Sequence, residues 1–76
     1  MKRKHVRIKF ENEEMFERFL KLVGREVEAD GLDLNLCAGD VADNLYYNPD
    51  IKNYVKENYP EVKTQLQWRE FIAGKL

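Results

Sequence analysis

Serine is absent from this 76-residue chain, and cysteine and histidine occur once each. Without serine there is no Ser–His–Asp arrangement, and no glycine-rich loop is present to cradle a phosphate. A lone Cys37 closes no internal disulfide, and with His5 as the single imidazole it builds no zinc motif. Its neighbours Leu36 and Ala38 are apolar, and the nearest charge, Asp40, has the wrong sign to activate a thiol. Cys37 therefore reads as a small hydrophobe. Asp30, Asp33 and Asn35 miss the calcium-loop spacing, and Asp40 and Asp43 are explained by helix capping without any paired-carboxylate chemistry. No apolar run approaches the ~18 residues of a membrane span. Met1-Lys2-Arg3-Lys4 runs into charged alternation where a signal peptide would carry an apolar stretch. These gaps lead to the expectation of a complete, cytoplasmic, non-enzymatic protein with no catalytic, cofactor-binding or metal-binding residue.

What the chain does contain is enough for one small folded domain over residues 1–76, with 43% hydrophobic and 36% charged residues. Its charge is unevenly placed. Lys2, Arg3, Lys4, Arg7 and Lys9 precede the first acid, although the whole chain has a net charge of −1. Within that basic run Val6, Ile8 and Phe10 alternate with polar residues, the pattern of a strand over residues 4–10 with one buried and one cationic face.

After Phe10 the period becomes helical. Asn12 is placed to cap a helix over 12–29, with Glu13 and Glu14 in its first turn and Phe16, Phe19, Leu20, Val23 and Val27 along one stripe. Glu14 with Arg18 and Glu17 with Lys21 are acid-before-base pairs four apart. Asp30-Gly31 gives a stop. Residues 32–37 carry two periods. Leu32, Leu34 and Leu36 alternate like a short second strand, which would pair with the first and leave Asp40 to cap a short helix over 41–47. Alternatively Asp33 caps one helix over 34–47, with Gly39 an internal flaw costing ~1 kcal/mol. Gly39-Asp40 looks more like a helix start, which favours the strand. Asn48-Pro49 opens a helix with Ile51, Tyr54 and Val55 inward, and Tyr59-Pro60 ends it. A final helix is expected over 61–73, closed by Gly74. The resulting fold class is α+β: an N-terminal strand, a long amphipathic helix, a second short strand and two to three C-terminal helices.

Residues 1–45 resemble a ribbon-helix-helix domain, with Val6, Ile8 and Phe10 inward, Arg7 and Lys9 outward, Gly31-Leu32-Asp33 as the turn, and Leu34, Cys37, Val41 and Leu45 on the second helix. That resemblance implies a homodimer whose paired strands enter the major groove of DNA. Gly39-Asp40-Val41-Ala42 followed by Asn48-Pro49 is also similar to a short helical segment of small bacterial YozE-like proteins, which implies no activity.

Two candidate contact surfaces follow. Lys4, His5, Arg7 and Lys9 would meet DNA or another anionic macromolecule, making the protein a dimeric transcriptional regulator. Edge protection of the strand would need fewer cations than these. The second candidate is a protein-binding adaptor or inhibitor. It would use the acidic face of the first helix or the aromatic residues Tyr46, Tyr47, Tyr54, Tyr59 and Trp68, which suit an interface because they bury area while keeping a polar handle.

Overall fold

In the computed structural model, which describes residues 8–76, the chain is all-helical: α1 (Glu13–Ala29), α2 (Leu34–Tyr46), α3 (Pro49–Asn58) and α4 (Gln65–Lys75). Among the described residues none lies in a strand. This overturns the expected α+β class: the proposed second strand is helix, and residues 8–10, the described part of the first, are not in a strand.

Residues 8–10 do alternate as expected, with Ile8 and Phe10 half-buried against the core and Lys9 exposed, while the rest of the basic run lies outside the described residues. What is missing among the described residues is a partner strand. The Ile8 N–H instead donates to the Asp50 carboxylate of α3 at 2.8 Å, so a side chain supplies the acceptor that a ladder would have supplied.

The second strand is replaced by helix because Asp33 is a working cap. Its carboxylate accepts the Asn35 N–H at 2.9 Å, and its backbone carbonyl accepts from Leu36 and Cys37. Once the helix starts there, the leucine alternation loses its meaning. Leu34 turns inward and is half-buried, whereas Leu36 is 84% exposed. Asp40 is thus an exposed mid-helix residue and caps nothing, and Gly39 is carried inside α2.

The other termini follow local chemistry closely. Asn12 accepts the Met15 N–H at 2.9 Å and opens α1. Gly31 sits at φ +84° in the turn after it, a left-handed conformation that a Cβ would strain. Asn48 accepts from Asp50 and Ile51 ahead of Pro49 at the start of α3. The last helix begins four residues later than the sequence suggests, because Thr64 and Gln67 form a reciprocal capping box. The Gln67 side chain takes the backbone N–H groups of Thr64 and Lys63, which fixes 61–64 as a loop. Gly74 stays within α4.

Every helix contributes to one core: Phe16 and Leu20 from α1, Ala42 from α2, Ile51 and Val55 from α3, Trp68 and Ile72 from α4. Of the α1 stripe, Phe16 and Leu20 are fully buried, while Phe19, Val23 and Val27 are half-buried at its margins. Gly24 sits at a close approach: a Cβ there would stand 3.3 Å from both a Leu34 methyl and the Leu76 backbone, so an added side chain requires one of them to shift by a few tenths of an ångström. Glu14 pairs with Arg18 as expected, at 3.0 Å. Glu17 instead reaches Lys75 and ties α1 to the end of α4.

Candidate functional site

The aromatic residues that the sequence groups together separate into two clusters. Tyr54 and Tyr59 belong to the interior. Their rings, with those of Phe10, Phe16 and Phe71, make a chain of edge-on and tilted contacts with centroids 4.6–6.5 Å apart. Burial and then the adjacent Glu13 carboxylate push the Tyr59 hydroxyl up to about 12, since both disfavour the phenolate. These two tyrosines are half-buried in the fold and also line a separate hollow of about 360 Å³ with Phe10 and Asn12.

Tyr46, Tyr47 and Trp68 form the other cluster, at the edge where the end of α2 meets α3 and the loop before α4. Trp68 is its foundation. The indole is 4% exposed, and its N–H donates to the Ala42 carbonyl at 2.7 Å, satisfying the one polar atom that burial would otherwise strand. The Tyr46 ring stands edge-on to Trp68 at 5.3 Å and to Tyr47 at 6.1 Å. Tyr46 is 41% exposed and Tyr47 82%. Beside them Asp43 and Arg69 make a two-pronged ion pair across α2 and α4, at 2.9 and 2.7 Å. The Arg69 hydrogen bonds hold the Asp43 carboxyl below its ordinary range, and Gln65 adds to the effect.

Two hollows adjoin this cluster and share the walls Tyr46, Val62, Lys63 and Trp68. One, of about 470 Å³, continues over Val55 and Pro60 between Lys52 and Lys56. The other, of about 270 Å³, runs past Tyr47 and Asp43 to Thr64 and Gln65 at the start of α4. Together they make a cleft with an aliphatic and aromatic floor, of a size that accepts one or two side chains of a partner. Lys52 and Lys56 are one helical turn apart on α3, and Lys63 comes from the loop. All three are exposed and form no ion pair among the described residues. The Lys52 ammonium lies 4.7 Å from the Tyr46 ring centroid.

These lysines are the contribution that sequence reasoning missed. Their sequence signal is the i, i+4 spacing of Lys52 and Lys56, which is weak beside the charge asymmetry of the N-terminus. Of the cationic residues named there, Lys9 is exposed, and Lys4, His5 and Arg7 lie outside the described residues. The acidic face of α1 is partly engaged within the chain, since Glu14 holds Arg18, Glu17 holds Lys75 and Glu13 lies beside Tyr59.

Cys37 is half-buried, with its thiol bonded to the Asp33 carbonyl. Among the described residues no three His, Cys, Asp or Glu side chains gather as a metal site, and no helix is long and apolar enough to cross a membrane. The chain matches no family model, no curated protein and no solved structure.

Proposed function

We propose that this is a small non-enzymatic protein-binding module, an adaptor or inhibitor whose contact surface is the edge formed by α2, α3 and the loop before α4. The observation that carries the reading is the pairing of a rigid ring floor with exposed rings. Trp68 is pinned to Ala42 beneath Tyr46, and Tyr47 projects beside the cleft. Anchors that lose little entropy on binding, next to a preformed hollow, are what concentrate binding energy at interfaces.

Contact with DNA through Lys4, His5, Arg7 and Lys9 has weaker support. Ile8 and Phe10 pack on the core as an inward strand face would, but the Ile8 N–H, a backbone donor that a paired strand could use, is taken by Asp50 of the same chain. The test is to place a photo-crosslinking amino acid at Tyr47 and, separately, at exposed Glu26 on α1, in the protein's own cell. A defined protein captured from position 47 and not from 26 is expected. Equal capture from both positions, or capture of nucleic acid from 47, would refute the proposal.

A further inference from the structure

We infer that the cleft takes an acidic peptide segment anchored by one aliphatic side chain. This deepens the proposed binding role and rests on it. The chemistry of the walls selects the occupant. The floor is Val55, Val62, Pro60 and the edge of Trp68, an apolar surface that water wets unfavourably and that a leucine-sized side chain would cover. The rim gathers three ammonium groups, Lys52, Lys56 and Lys63, around one hollow, and like Lys9, Lys21 and Arg25 they hold no carboxylate among the described residues. On a chain of net charge −1 this concentration of positive charge around an apolar hollow is complementary to carboxylates flanking an apolar residue.

A single-stranded nucleic acid would also meet lysines and aromatic rings, but it needs open ring faces for its bases. The rings do not form a row of such faces: Tyr47 is 82% exposed, but Lys52 lies over the Tyr46 ring and Trp68 is 4% exposed.

The experiment is an NMR titration of the labelled full chain with the synthetic peptide Asp-Glu-Glu-Leu-Glu-Asp-Glu. Three comparison probes accompany it: the same peptide with its acids replaced by amides, the same peptide with leucine replaced by glycine, and oligothymidylate. The acidic leucine peptide is expected to shift Tyr46, Lys52, Lys63 and Trp68, and to bind at least about tenfold more tightly than either altered peptide. Its affinity should fall severalfold as salt shortens the Debye length below about 8 Å. The variant Lys52→Glu with Lys63→Glu, both at exposed positions, should keep the helical spectrum and lose the shifts.

Equal binding of the amide peptide at these residues would overturn the acidic preference and leave the protein-binding module standing. Tighter binding of oligothymidylate would overturn both. No movement of the cleft by the acidic peptide would overturn this inference alone, since crosslinking from position 47 judges the module independently.

Discussion

Replacing Trp68 by phenylalanine tests how the cleft floor is built. The indole joins α4 to α2 through one hydrogen bond to Ala42 and through burial, being 4% exposed, and it supports Tyr46 edge-on at 5.3 Å. Phenylalanine keeps a ring in place but removes the donor, which costs about 1 kcal/mol. It also gives up roughly two carbons of buried surface at about 0.8 kcal/mol each. A weaker edge contact with Tyr46 adds about 0.5 kcal/mol at most. The total is about 2–3 kcal/mol, a large part of the roughly 4–11 kcal/mol available to a domain of this size. Urea unfolding followed by helical circular dichroism is the right assay, because Trp68 is the only tryptophan and the variant has no indole fluorescence. The midpoint should fall with the slope unchanged. A loss below about 0.5 kcal/mol, within the range of ordinary surface changes, would show that the indole is not pinned as described.

Other expectations follow from the same contacts. Gly39→Ala should stabilise by about 0.5–1 kcal/mol, since it lies inside α2 and an added Cβ meets nothing within 4 Å, while Gly24→Ala should be less stable than Gly39→Ala because Leu34 and Leu76 stand at 3.3 Å. Comparative thermal melts would refute this by the opposite order. In an alkaline titration Tyr59 should ionise at about 12, and Glu13→Gln should lower that value. Because its folded value is raised, the stabilisation from neutral Tyr59 is complete below the ordinary tyrosine value of 10.0 and is lost as pH rises toward about 12. Unfolding curves that do not weaken in that window would contradict the burial. Asp43 has the opposite sign: its folded value lies below the ordinary 3.8, so its contribution is present above that pH and disappears as pH falls through the folded value. Asp43→Asn should therefore flatten the acid limb of stability, and an unaltered limb would mean that the Arg69 pair is idle.

Much of the helical framework was legible because it is written in local signals. Asn12, Asn48-Pro49 and Asp30-Gly31 each act within a few residues, and each marks a real boundary. The inward set Ile8 and Phe10 was legible too, but alternation reports only which side chains face in, and says nothing of what receives the backbone donors. That receiver is Asp50, forty-two residues away. Residues 32–37 carry three leucines at alternate positions, a strand signal, but the Asp33 cap decides where the helix starts. Thr64 and Gln67 form a capping box that sets the start of α4 against the apolar spacing, which alone points to residue 61. For the candidate site, Tyr46, Tyr47 and Trp68 were identifiable by residue type. Their separation from Tyr54 and Tyr59, and the approach of Lys63 to Lys52 and Lys56, arise from the packing of three elements and have no local signature.

Crosslinking yield from position 47, compared in two charge-altered backgrounds, tests most directly which surface meets the partner. Lys52→Glu with Lys63→Glu should abolish the captured species, and Arg7→Gln with Lys9→Gln should leave it within about twofold, because surface substitutions away from a contact change little. Loss of capture in the Arg7 and Lys9 background, with full capture in the Lys52 and Lys63 background, would place recognition on the basic N-terminal run and contradict the account.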